Sequence, residues 1–127
     1  MSQTRAIDYV GHMLEAARLA SSYVDGMDKE GFLADRRTQQ AVILNIVILG
    51  EAAAKLAHSH PELLDRYPHV PWKSVRGMRN RMAHGYFDID LSILWQTVQS
   101  SLPVLAGHSA VIEQDLAGKH PGTPGAE

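Results

Sequence analysis

The sequence predicts an all-α protein, an up-and-down bundle of four main helices plus one short helix. Three observations carry this expectation. Apolar residues recur at three- and four-residue steps through most of the chain. The joints between these stretches are short and marked by Asp25-Gly26, Gly85 and the prolines at 61, 68 and 71. The β-branched run Ala41–Leu49, which could also be read as a buried strand, continues into the Ala-rich stretch Glu51–Ala57, and that favours helix. A length of 127 residues suits one core.

The first helix is expected from about Gln3 to Val24. Ile7, Val10, Met13 or Leu14, Ala17 and Leu19 form its apolar side, with Arg5, Asp8, Glu15 and Arg18 mostly between them. A short piece from Asp28 to Ala34 leads to the second helix, about Asp35 to Ser59. Its segment Ala41–Leu49 is apolar nearly all the way round, which places it at the centre of the bundle. One short turn is expected around Glu62–Arg66. The next helix starts near Pro71, a residue suited to a first turn, and runs to about His84, where Gly85 can end it. The last helix, about Asp90 to Leu116, buries Leu91, Leu94, Trp95, Val98, Leu102 and Leu105. Pro103 should kink it, and Asp88 and Asp90 should cap it. Residues 1–117 then form the domain, and 118–127 a Gly/Pro-rich disordered tail.

Composition narrows the function. Hydrophobic residues make up 45% and charged residues 20%, the balance of a soluble globular chain. Cysteine is absent, which excludes disulfides, a thiol nucleophile and thiolate-based zinc sites. The N-terminus has no basic start followed by an apolar run, and Ala41–Gly50 is shorter than the roughly 20 residues that span a bilayer. A cytoplasmic protein without membrane contact is expected. The net charge of −2 supplies no global attraction for nucleic acid, so any such binding must come from a local patch.

That patch lies in Trp72–Asp90. On a helical wheel Val75, Met78 and Met82 share one stripe, while Lys73, Arg76, Asn80 and His84 share the opposite one, with Arg79 at its edge. The polar face is basic although the protein is not. A histidine among guanidinium groups is discouraged from holding a proton and can act as a base, and its cationic neighbours can hold a phosphate beside it. Arg79 and His84 are five residues apart, so on one ideal helix they diverge by about 140°. They meet at one phosphate only if the helix ends between them, which Gly85 permits, or if two subunits each contribute a set. Glu51 should be a buried carboxylate paired with an arginine, Trp72 and Trp95 core aromatics, and His58 and His60 surface residues. His12, His69, His108 and His120 are scattered along the chain.

Arg79-Asn-Arg-Met-Ala-His84-Gly-Tyr86 reads as Arg-x4-His-x-Tyr and resembles the signature of the HEPN superfamily, specifically the HepT-like toxins paired with minimal nucleotidyltransferase (MNT) antitoxins. Ile48–Ala53, Val70-Pro-Trp-Lys73 and Tyr86–Asp90 agree with it, and the resemblance spans about Arg5 to Leu105. It implies a HEPN-like helical fold and an endoribonuclease that needs no metal or other cofactor and acts as a homodimer with one composite cleft. It assigns Arg79 and His84 to the catalytic pair and Asn80 to the polar residue after the arginine. Tyr86 matches the tyrosine that the cognate antitoxin modifies with AMP in some members. Arg81 is outside the signature and, with Lys73 and Arg76, is a candidate RNA contact. The ribose 2′-OH would serve as nucleophile, His84 as base or acid, and Arg79 as clamp on the phosphate oxygens. The alternative is a non-catalytic HEPN accessory subunit that binds a nucleotidyltransferase or a nucleotide.

Overall fold

A computed structural model describes residues 5–118. Their element order is α1 (Ala6–Tyr23), α2 (Lys29–Leu33), α3 (Arg36–Ser59), α4 (Pro61–Arg66), α5 (Trp72–His84), a 3-10 turn (Tyr86–Asp88), α6 (Leu91–Gln96), a π-helical turn (Thr97–Ser101) and α7 (Leu102–Leu116). No strand occurs among the described residues. Gln3 and the tail from residue 119 onward lie outside them.

Several boundaries have a local cause. Asp35 opens α3: its carboxylate accepts the Thr38 N–H at 3.0 Å and the Thr38 hydroxyl at 2.8 Å. Those two hydrogen bonds hold the Asp35 carboxyl below its ordinary range, the backbone one most strongly. Asp90 caps α6 by accepting the N–H groups of Ser92 and Ile93 at 2.9 and 3.2 Å. Asp88 does not cap; it closes the 3-10 turn, its N–H donating to the Gly85 carbonyl at 2.9 Å. Pro71 precedes the first turn of α5 rather than joining it. The effect of Pro103 is spread over the residues before it. It lacks an N–H and crowds the carbonyl four residues back, and the helix widens into the π-helical turn Thr97–Ser101 just upstream. The π-helical turn joins α6 to α7 with no intervening residue, so the two form one rod.

Helix α1 packs between α3 and the α6–α7 rod, and α3 packs between α1 and α5. The core is one cluster that includes Val10, Met13, Ala17, Ile46, Leu49, Val75, Leu94, Val98 and Leu102. Phe32 of α2 is buried against Trp95, with ring centroids 5.3 Å apart. Trp72 is buried as expected and donates its indole N–H to the Tyr67 carbonyl at 3.0 Å. Leu91 and Trp95 are only half-buried.

Helix α3 is less enclosed than its apolar sequence suggests. Leu44 is 58% and Ile48 40% exposed, because α1 and α5 cover two sides and leave a third open. By length and composition α3 could cross a membrane, yet two of its faces are packed within this bundle.

Gly50 sets how closely α5 approaches α3. A β-carbon there would overlap the Arg79 Cβ and lie 3.1 Å from both the Arg79 Cγ and the Val75 carbonyl oxygen. Gly50→Ala would gain about 1 kcal/mol of helix propensity, against an overpacking cost of about 1–3 kcal/mol. The clash is with a Cβ and a backbone carbonyl, neither of which can swing aside, so the cost should win. The thermal unfolding midpoint of Gly50→Ala should fall; a rise would contradict the close approach.

Candidate active site on the polar face of α5

The sequence of α5 is amphipathic, and its apolar side buries Trp72 and Val75 and half-buries Met78 and Met82. Arg79 follows Val75 by one turn and emerges beside Gly50. Its Nε and Nη2 groups donate to Glu51 Oε1 at 3.1 and 2.7 Å, and Nη1 donates to Asn80 Oδ1 at 2.7 Å. An arginine carries five N–H donors, so these three bonds leave two, and a third of the side chain stays open to solvent.

Glu51 is paired with an arginine, as its place in an apolar helix suggested, but it is not buried. Its side chain is 40% exposed on the open side of α3. Lys55 Nζ lies 3.6 Å from its other oxygen. The hydrogen bond from Arg79 holds the Glu51 carboxyl below its ordinary range against a smaller desolvation effect. A depressed carboxylate contributes its stability above its unfolded value, and the pair is lost only as pH falls through the lowered one.

His84 is the last residue of α5 and is exposed. The helix does not end between Arg79 and His84. Gly85 terminates it one residue later, with φ −112° and its N–H on the Arg81 carbonyl at 2.9 Å. Within one chain the two side chains therefore keep their divergence of about 140°. Asn80 stays next to Arg79, while Lys73 is exposed and Arg76 half-buried on the face that ends at His84. Arg81 stands apart, lining a cavity of about 330 Å³ between α5 and α6 together with Asp88 and Asp90. Among the described residues, Lys73, Arg76 and Arg81 have no ion-pair partner.

Tyr86, in the 3-10 turn, is 42% exposed. Its hydroxyl accepts a hydrogen bond from Gln40 Nε2 at 3.0 Å, and its ring meets Phe87 edge-on with centroids 5.5 Å apart. Phe87 is 96% exposed. Gln40 and Gly50 were not singled out in the sequence. A glycine inside an apolar helix is a signal of close backbone approach that could have found Gly50. Nothing local marks Gln40, whose partner is 46 residues away.

The other histidines divide differently from their sequence reading. His58 is exposed, but His60 has a buried Nε2 without a hydrogen-bond partner. His69 and His108 are brought edge to face at 4.9 Å between centroids, with the Tyr67 ring next to His69; the Tyr67 hydroxyl donates to Asp115 at 2.6 Å. Burial and the Asp115 carboxylate raise the Tyr67 phenol above its ordinary range. Among the described residues no group of three or more His, Asp or Glu side chains is placed to hold a metal ion.

The model of the family described as "Ribonuclease HepT-like" matches residues 13–112. "Probable ribonuclease HepT" of Thermococcus cleftensis is 35% identical over 100 residues, covering 79% of this chain and 88% of that protein. "Putative RNase MJ0127" of Methanocaldococcus jannaschii is 31% identical over 107 residues, covering 84% and 86%. "Gamma-glutamylcyclotransferase and putative RNase MJ0434" of the same organism is 32% identical over 108 residues, which are 85% of this chain but 47% of that longer protein. No solved structure matches the chain. With the Arg-x4-His-x-Tyr segment on α5 and its following turn, an all-helical bundle around it, and a family match over most of the described residues, the chain belongs to the HepT-like ribonuclease family.

Proposed function

We propose that the protein is the toxin of a toxin–antitoxin pair, a cytoplasmic endoribonuclease that cleaves RNA without a metal. The observation that carries this reading is Arg79, fixed by Glu51 and Asn80 yet keeping two free N–H donors on an open basic face that ends at His84. In this reading the 2′-OH loses its proton to a histidine and attacks the neighbouring phosphorus. Arg79 stabilises the added charge, and a second acid protonates the departing 5′ oxygen. The products are a 2′,3′-cyclic phosphate and a 5′-OH.

One unbroken helix holds Arg79 and His84 apart, so the reading needs two chains to complete a site. A two-fold homodimer that brings the α5 helices together supplies both an acid and a base. Leu44 and Phe87, exposed beside the motif, give such a seam apolar area. An MNT-type nucleotidyltransferase is the antitoxin, with Tyr86 as its AMP acceptor. The accessory-subunit reading has one observation in its favour. Three of the Arg79 donors are committed to the chain's own Glu51 and Asn80, as in a purely structural ion pair.

Purified protein incubated with RNA and EDTA separates the two. Cleavage that leaves cyclic phosphate ends supports the ribonuclease. Cleavage abolished by EDTA and restored by magnesium overturns the metal-independent mechanism, and intact RNA under all conditions favours the accessory subunit.

A further inference from the structure

We propose that the groove between α1 and α3 is a binding subsite for one nucleotide of the RNA strand, beyond the two joined at the cleaved phosphate. It rests on the ribonuclease reading above. The groove encloses about 590 Å³ and is lined by Tyr9 and His12 of α1 and by Val47, Ile48, Glu51 and Lys55 of α3. Pockets of this size class accommodate small organic ligands.

The lining matches the parts of a nucleotide. Single-stranded nucleic acid is held by aromatic rings that stack on bases and by cations that follow the backbone. Tyr9 supplies a half-buried ring, and Val47 and Ile48 an apolar floor, with Ile48 40% exposed to a ligand. Lys55, its side chain 57% exposed, and His12 stand on the rim as partners for a phosphate.

Its position is set by Glu51. One carboxylate oxygen accepts from Arg79 at 2.7 Å, and the other lies 3.6 Å from Lys55 Nζ. The same side chain therefore lines the groove and orients the arginine of the candidate active site. Arg79 and Lys55 flank one carboxylate, and their two positive charges exceed its single negative one. A strand whose scissile phosphate rests on Arg79 meets Lys55 next. The cavity between α5 and α6 has the opposite character, with Asp88 and Asp90 beside its one cation, Arg81. It is the poorer host for a polyanion.

The test compares two probes by fluorescence anisotropy on the full chain. One is a labelled 2′-fluoro RNA hexamer, which lacks the nucleophile, and the other the corresponding dinucleotide. Wild type should bind the hexamer about tenfold tighter or more, the size of one stacked base. Tyr9→Leu and Lys55→Met should each bring that ratio toward one, whereas Tyr9→Phe, which keeps the ring, should retain it. Lys55 is half exposed, so its variant reports on the groove even if Tyr9→Leu folds poorly. An unchanged ratio in Lys55→Met and in folded Tyr9→Leu overturns the subsite while leaving the ribonuclease reading intact. Wild type that binds neither probe overturns both. Wild type that binds the hexamer but cuts no unmodified RNA sinks the ribonuclease reading, and the variant ratios still decide the groove.

Discussion

His84→Ala is expected to lower RNA cleavage by about 10²–10⁴-fold, the usual contribution of a general acid or base, without loss of the fold. His84 is exposed at the final position of α5, outside the core cluster. Its removal takes away a ring nitrogen without breaking any hydrogen bond found among the described residues. Arg79→Ala should also abolish cleavage, but it strips Glu51 of its strongest partner and leaves space beside Gly50. Its effect would mix chemistry with stability, so His84 is the cleaner probe. Single-turnover cleavage of a labelled RNA, with thermal unfolding followed by circular dichroism, measures both quantities. An unchanged rate for a folded His84→Ala protein removes the histidine from the mechanism.

The second large effect concerns Tyr86, where attachment of AMP should silence cleavage completely. The Tyr86 oxygen would attack the α-phosphorus of ATP, lose its proton to solvent or a base of the transferase, and release pyrophosphate. The structure makes the acceptor reachable. Tyr86 is 42% exposed, and its hydroxyl oxygen accepts from Gln40, which leaves the O–H free to point outward. The new phosphodiester carries a negative charge two residues from His84 and would compete with the scissile phosphate for the basic face. Co-expression with an MNT-type nucleotidyltransferase should add mass in steps of one AMP and remove activity, with Tyr86→Phe blocking both. Neutralisation of Tyr86→Phe with the same added mass places the modification elsewhere. Neutralisation without added mass means inhibition by complex formation.

By itself the sequence determined the helices and the segment that carries the family motif. Helical periodicity and the punctuating Asp25-Gly26, Pro71 and Gly85 are local properties. The observed bounds of α3, α4 and α5 accordingly fall within a residue or so of those expected. Arg79, His84 and Tyr86 were legible because their spacing is itself the motif. The two acidic residues before α6 were only half resolved: both suit a cap, and the 3-10 turn decided that Asp90 serves as one.

What the tertiary structure decided is everything that depends on partners distant in sequence. It gave Arg79 to Glu51, 28 residues away, and Tyr86 to Gln40. It also juxtaposed His69 with His108. Burial of α3 was overestimated from sequence because apolar periodicity reports what a helix can bury, whereas the number of helices packed against it sets what is buried. Two neighbours cover two faces, and the third, with Leu44, Ile48 and Glu51, is left open beside the motif. Gly50 couples the two levels. Its lack of a side chain is visible in the sequence, but only the approach of α5 shows that the missing atom makes room for Arg79.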